Sequence, residues 1–309
     1  MNQMKVCFTG IGSIAKRHIR NLHAICGERG IHLQVDAFRR KTDTVEGVDT
    51  IYNIIDYVPD GYDAVFITNP TELHLETLKQ FHNKGKHFFI EKPVVSLPQL
   101  AAAREFRVHE GSVYYVAAPL RYNAVIKWIK NNVNVNDVFS IRSISSSYLP
   151  DWRPGQDYRD TYSAHKDMGG GVSIDLIHEW DYLTYLFGWP EKVHSLIGKK
   201  SNLEVDSDDY AIYIAEYSDK IAELHLDYFG RKTIREIQLF TKDDTIVGDI
   251  ANNKIRFLVS GKEIDFHEER DDFQKRELRF FLDMITGKIE SENGFYHGIE
   301  LLNLTQGVL

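Results

Sequence analysis

The chain has 309 residues and a formal net charge of −8, long enough for two domains that each bury a core. The acidic balance excludes nonspecific binding to nucleic acid or to an anionic membrane, since both require clustered positive charge. Two cysteines, Cys7 and Cys26, supply neither a disulfide framework nor a thiolate metal site; with no apolar run that spans a bilayer and no signal-peptide pattern, a soluble protein of a reducing cytoplasm is expected.

Lys5-Val6-Cys7-Phe8-Thr9 reads as a short buried strand. Gly10-Ile11-Gly12-Ser13-Ile14-Ala15 follows at once and opens a helical pattern in which Ile14, His18, Ile19, Leu22 and Ile25 fall near one face. This is a G-x-G-x-x-A dinucleotide fingerprint. Gly10 permits a tight turn, Gly12 lets the backbone approach a pyrophosphate, and Ala15 lets helix and strand pack closely. The N–H groups at the helix start, around Ser13 and Ile14, then face phosphate charge.

The second strand runs from Leu33 to Phe38 and ends at Arg39-Arg40-Lys41. Its end lies beside the adenosine ribose, where a carboxylate binds the 2′-OH of NAD and an arginine accommodates the 2′-phosphate of NADP. The position falls on Arg39, with Arg40 next to it, which favours NADP. A register shifted back to Asp36 restores NAD.

Tyr62 to Thr68 is another buried strand, closed by Asn69-Pro70. A helix follows from Thr71 until Gly85, and His87 to Ile90 is a strand that runs into Glu91-Lys92-Pro93. Strand, helix and strand with short connections imply right-handed parallel crossovers, and ligands of such sheets bind at the carboxyl ends of the strands. Lys92 is therefore expected beside the cofactor, held by a proline of fixed φ in either peptide isomer. A helix from Leu97 to His109 and a strand from Val113 to Ala117 complete a first domain, residues 1–120. Pro119-Leu120-Arg121-Tyr122 leads into a second, residues 121–309.

Residues 137–148 alternate in strand fashion. From Tyr148 to Met168 the chain loses periodicity but is rich in Tyr, Asp, Arg and His, as in a binding loop. Trp152, Arg153 and Tyr162 there suit contacts to a sugar or an anionic sugar derivative, the other reading being a loop that covers the sheet. Gly169-Gly170-Gly171 opens a helix expected from Val172 to Phe187, on which Asp175 and His178 stand three apart. Strand-like runs follow from Val193 to Val259. Tyr210 to Tyr217 is apolar and aromatic on both faces, so a self-association surface is expected on the open face of the sheet. A charged helix from Asp271 to Thr286 and another from Tyr296 to Leu304 close the chain. No internal repeat and no metal-ligand cluster is seen.

Gly10-x-Gly12-x-x-Ala15-x-x-His18, Asn69-Pro70-Thr71-Glu72-Leu73-His74, Gly85-Lys86-His87, Glu91-Lys92-Pro93 and the run Gly169 to His178 occur together and in order. In this the chain resembles the glucose–fructose oxidoreductase / inositol dehydrogenase family, the Gfo/Idh/MocA oxidoreductases, over nearly its whole length. The resemblance implies a parallel, doubly wound Rossmann domain followed by an α/β domain with a large open, mostly antiparallel sheet. It also implies a homodimer or homotetramer through that sheet and a sugar, cyclitol or related polyol as substrate.

For the site, the resemblance implies a catalytic set of Lys92, Asp175 and His178 and no metal. His178 removes the hydroxyl proton and Lys92 stabilises the developing alkoxide at the same oxygen. Gly10, Gly12, Ser13, Ile14, Arg39, Arg40, Asn69, Pro70, His74, Glu91 and Lys92 line the cofactor. Arg121, Tyr122, Trp152, Arg153 and Tyr162 meet the substrate. Many relatives place one more residue between the acid and the histidine, so Asp175 and Asp181, one turn beyond His178, both stand as the acid. Two other outcomes share these residues: NAD-assisted sugar chemistry without net redox change, and a cofactor sensor without turnover.

Overall fold

In the computed structural model, which describes residues 2–309, β1 (Gln3–Thr9) lies inside a six-stranded sheet. Around it the chain alternates α1 (Ser13–Glu28), β2 (His32–Phe38), β3 (Thr50–Tyr52), β4 (Tyr62–Ile67), α2 (His74–Phe81), β5 (Gly85–Ile90), α3 (Leu100–Glu105) and β6 (Tyr114–Val116). The strand order is β3-β2-β1-β4-β5-β6, and every pairing is parallel. This is the expected doubly wound arrangement, with its switch point between β1 and β4.

A parallel sheet covered on both faces needs apolar residues throughout its central strands. Met4, Val6, Cys7 and Phe8 of β1 and Ala64, Val65, Phe66 and Ile67 of β4 are accordingly buried. On one face Phe8, Phe66 and Phe89 stack in series at centroid distances of 4.4 and 5.1 Å. Ala15, Ile19, Leu22 and Ile25 of α1 close over the same core. The helix expected from Leu97 to His109 is shorter than that: a capped turn at Leu97–Gln99 leads into α3, and Phe106 already has extended backbone.

The second unit comprises Ala118–Arg270 with Glu300–Leu309. It contains α4 (Ala124–Asn132), β7 (Val138–Tyr148), α5 (Val172–Asp175), α6 (His178–Phe187), β8 (Lys192–Gly198), β9 (Tyr210–Glu216) and β10 (Ile221–Asp227). Then follow β11 (Phe229–Thr241), β12 (Thr245–Asp249), β13 (Lys254–Phe257) and β14 (Glu263–Asp265). These form one eight-stranded sheet, β14-β13-β12-β11-β7-β10-β9-β8. It is antiparallel except where β10 meets β7, which is the expected large, mostly antiparallel sheet. One face is core: Ala211, Tyr213 and Ala215 of β9 and Ala222, Leu224 and Leu226 of β10 are buried.

The chain then returns to the first unit, which is made of the residues through Ala117 together with Asp271–Ile299. Helix α7 (Asp272–Ile285) places Phe281 edge-on against Phe66 and Phe89, and Asp283 pairs with Arg29 at 2.9 Å. Helix α8 (Phe295–Leu304) follows. A division at residues 120 and 121 that runs on to 309 does not anticipate this return. The apolar face of α7 is visible as periodicity, but which core it fills is not.

The helix expected from Val172 to Phe187 is two helices. Between them Ile177 N donates to Ile174 O at 3.2 Å and Glu179 N to Leu176 O at 3.0 Å, the tighter i→i−3 pattern. The short first turn is pinned at both ends. Asp208 Oδ2 accepts from Ser173 N at 2.8 Å, and Asp175 is held by Tyr228 at 2.6 Å. A continuous helix would have to release one of these anchors.

Candidate functional site

In the first unit the carboxyl ends of β1 and β4 are clamped together by threonines. Thr68 Oγ1 donates to Thr9 O or Gly10 O, each at 3.0 Å, and Thr9 Oγ1 to Phe66 O at 3.2 Å. Gly10 sits in this clamp at φ +79°, where a Cβ would stand 2.9 Å from Asn69 Cα. Both the left-handed backbone and the close approach demand glycine.

Gly12 differs: a Cβ there would meet nothing within 4 Å, so the space beside it is open on the side where a cofactor's phosphates would lie. It is the N-cap of the 16-residue α1, which has no side-chain cap and no acidic residue in its first turn. Its leading N–H groups, those of Ser13 and Ile14 among them, therefore suit an anion. Asn69 Oδ1, next to Gly10, is buried without a hydrogen-bond partner. Open space at Gly12, uncapped donors and an orphaned acceptor at the switch point together fit a dinucleotide.

At the end of β2 the alternatives separate. Asp36 is fully buried, accepts from Tyr62 Oη at 2.8 Å and lies 3.5 Å from Lys5 Nζ. Its partner on β1 is Cys7, two residues before the end of both strands. The first side chains beyond the strand are Arg39 and Arg40. Arg39 is half-buried, with its backbone N–H on Tyr52 O and its guanidinium 3.1 Å from the exposed Asp43.

The Glu91-Lys92-Pro93 segment follows β5, and its Lys92–Pro93 bond is cis. His18 of α1, buried against the edge of Phe89, reaches Glu91 Oε1 at 2.7 Å. Burial opposes ionisation of Glu91, but the hydrogen bond and charge of His18, with Lys92 and His74 near, hold its carboxyl below the ordinary value. Pro70 is exposed. His74, expected to line the cofactor, is 1% exposed and faces backbone: Nε2 lies 2.9 Å from Asn69 O and Nδ1 3.1 Å from Pro93 O. Burial lowers its pKa against the raising effect of these carbonyls, and the ring lies between the loop after β4 and the one after β5. Its role there is to position both loops.

In the second unit, Gly171 has φ +133°, and a Cβ on it would fall 2.2 Å from Asp208 Oδ1. The glycine run thus lets Asp208 cap α5. Asp175 at the end of α5 is 5% exposed. Two phenols converge on it: Tyr228 Oη donates at 2.6 Å, and Tyr162 is within hydrogen-bonding reach. Burial and the Asp175 charge raise the pKa of Tyr162, against the lowering effect of Arg153, whose guanidinium lies 5.1 Å over the Tyr162 ring. His178 opens α6 and is half-buried.

Trp152 is anchored, with Nε1 on Ser147 Oγ at 2.9 Å and its ring edge-on to Tyr228. Arg121 and Asp181 face each other instead of open space. Both are buried, and they form a two-point ion pair, Nε to Oδ2 at 2.9 Å and Nη2 to Oδ1 at 2.8 Å. Asp175, not Asp181, therefore keeps the company of Tyr162 and Arg153. Tyr122 is buried beside Arg121. Sequence reasoning missed Tyr228 and Asp208. Neither stands in a recognisable motif, and the run up to Tyr228 reads only as strand.

Residues 4–108 match a family model described as "Oxidoreductase family, NAD-binding Rossmann fold". Residues 131–246 match one described as "GFO/IDH/MocA C-terminal domain". Among curated proteins, the chain is 26% identical over 191 residues to the uncharacterized oxidoreductase YrbE of Bacillus subtilis, covering 58% of this chain and 52% of that one. It is 23% identical over 196 residues to scyllo-inositol 2-dehydrogenase (NAD(+)) of the same organism, covering 60% and 55%. The match thus spans about half the length of these curated relatives. Among solved structures, levoglucosan dehydrogenase in complex with NADH superposes with a TM-score of 0.83 at 15% identity, covering 99% of this chain and 96% of that one. That likeness is one of fold.

Proposed function

We propose that this chain, which belongs to the GFO/IDH/MocA oxidoreductase family, is a nicotinamide-dependent dehydrogenase or reductase acting on a CH–OH group of a sugar, cyclitol or sugar derivative. The observation that carries this reading is the switch point of the parallel sheet. There an open Gly12, an uncapped α1 and the orphaned Asn69 Oδ1 adjoin one another, on the sheet whose next strand ends in Glu91-Lys92-Pro93. The first unit holds the nucleotide; the second binds the substrate.

When bound, the nicotinamide supplies the hydride acceptor or donor. The backbone N–H groups of Gly12, Ser13 and Ile14 hold the pyrophosphate. Arg39 and Arg40 meet the adenosine ribose, and with Asp36 committed to Tyr62 and Lys5 the guanidinium side favours the 2′-phosphate of NADP over NAD. Lys92, as a fixed cation, stabilises the alkoxide that forms as the hydroxyl proton leaves. His178 takes that proton, an imidazole being suited to proton transfer near neutral pH. Asp175 accepts a hydrogen bond from a neighbouring hydroxyl, with Arg153 and Tyr162 as further substrate contacts.

Self-association through the sheet of the second unit belongs to the same proposal. It is supported by Leu196, 67% exposed, which pairs across β8 and β9 with the half-buried Ile212. Titration with NADH and NADPH, followed by a screen of polyols and sugar derivatives read at the nicotinamide absorbance, tests the reading. Saturable binding of a nicotinamide cofactor and turnover of at least one polyol are expected. Failure to bind either cofactor overturns it.

A further inference from the structure

Tyr228 closes β10 and precedes β11, where the register with β7 shifts between Phe229 and Ile234. Its side chain is fully buried. Its backbone is fixed on both sides, N donating to Asp209 O at 3.0 Å and O accepting from Leu149 N at 2.9 Å. Its ring is wedged by the edge of Trp152, whose own Nε1 is held by Ser147. The phenol that results has one direction available, and it points to Asp175 Oδ2 at 2.6 Å.

We propose that Tyr228 is a positioning residue for the reaction: held by Trp152 and Ser147, it fixes Asp175 as a hydrogen-bond acceptor in the second unit. This rests on the role given to Asp175 above. A buried carboxylate needs hydrogen-bond donors, and Tyr228 supplies one from a fully buried side chain. A phenol suits the task because it donates and keeps its proton. Burial first, and the neighbouring Asp175 charge next, push the Tyr228 hydroxyl well above its ordinary value. Asp208 is engaged elsewhere, its carboxylate accepting from Ser173 N. Tyr162 approaches from an exposed loop position under Arg153, so of the two phenols Tyr228 is the fully buried one. Trp152 acts on Asp175 through Tyr228.

The test is a double-mutant cycle of Tyr228→Phe and Asp175→Asn on the full chain, with the nicotinamide cofactor and the best polyol of the screen. Tyr228→Phe should lower kcat by about tenfold while cofactor affinity, read separately by fluorescence titration, is unchanged. The double variant should be no slower than Asp175→Asn alone, because residues acting as a unit are not additive. A Tyr228→Phe cost that adds in full to that of Asp175→Asn, or wild-type kcat in Tyr228→Phe, overturns the proposal. Thermal unfolding of the same four proteins separates folding from positioning. Coupling that appears in unfolding but not in kcat makes the pair structural and also overturns it. Wild-type turnover in Asp175→Asn instead removes the catalytic role assigned to Asp175 itself.

Discussion

His18 Nε2 lies 2.7 Å from Glu91 Oε1, so the first helix of the fold holds the acid that adjoins Lys92. The histidine is the eighth residue after Gly10, on the buried face of α1, and packs on Phe89 at the end of the strand that precedes the acid. The fingerprint helix and the lysine loop are therefore one rigid assembly within the first unit. His74 ties the same loop from the other side through Pro93 O.

Glu91→Gln tests this assembly through pH. Glu91 ionises below its ordinary value of 4.5 in the folded chain. A carboxyl depressed on folding adds stability above its unfolded value and loses it as pH falls through the folded one. The wild type should lose stability below about pH 4.5 more steeply than Glu91→Gln, in denaturant titrations at about pH 4 and about pH 6. Parallel curves would show that His18 contributes nothing through this acid.

Lys92→Ala should lower kcat by about 10²- to 10³-fold, the loss seen when a fixed donor to a developing oxyanion is removed. Nicotinamide cofactor affinity should change little. Near-normal turnover in steady-state assays would remove Lys92 from the mechanism.

Gly12→Val separates fold from cofactor. With nothing within 4 Å of the added Cβ and an extended backbone at φ −85°, unfolding free energy should fall by no more than about 1 kcal/mol, the cost of an apolar residue at an N-cap. Cofactor affinity should fall roughly 10- to 100-fold as phosphate hydrogen bonds are displaced. Calorimetric titration beside a thermal melt reads both. A large loss of stability would contradict the open space.

The pair Arg121–Asp181 predicts the reverse. Asp181→Asn should cost about 3–5 kcal/mol of stability, because it removes one charge of a buried, two-point ion pair. Replacing both partners by apolar residues, as in Arg121→Met with Asp181→Leu, should recover most of that. Denaturant unfolding measures each, and a stable Asp181→Asn would show that the pair is dispensable.

His87 should make the first unit sensitive to acid. Burial, aided by Lys86 and opposed by Asp63, lowers its pKa from 6.5 to about 4; its Nδ1 accepts from Val113 N at 3.0 Å. A histidine kept neutral by folding costs stability as pH falls from its unfolded value to its folded one. About 2.5 pKa units correspond to roughly 3 kcal/mol lost between about pH 6.5 and about pH 4. His87→Gln should flatten that slope in unfolding measured across the range. An unchanged slope would assign the acid sensitivity to other groups.

Much of this arrangement was legible along the chain, and the limits follow from particular residues. Gly10 and Gly12 could be assigned different duties from their spacing, and the structure separates them in that way: one is pressed against Asn69, the other faces open space. His74 was legible as part of a motif but not as a clamp on backbone carbonyls, because a buried histidine and an exposed one look alike in a helical pattern. Trp152 and Arg121 looked like surface recognition residues for the same reason. Composition shows what a side chain can bond, but not that Ser147 and Asp181 already bond it.

What the amino-acid sequence determined by itself was the parallel crossovers of the first sheet, the dinucleotide turn, the strand end that carries Lys92 and the strand-like runs of the second half. Each of these depends on short-range periodicity, on glycine and proline at set offsets, and on the handedness of crossovers. Only the tertiary structure decided four further points: that Asp36 serves Lys5 and Tyr62, that Asp181 is spent on Arg121, that the helix breaks between Asp175 and His178, and that α7 returns to the first core. All four rest on contacts between residues far apart in the chain. A local pattern constrains only a residue's own backbone and face, and the partner that completes a buried charge is chosen when distant segments pack.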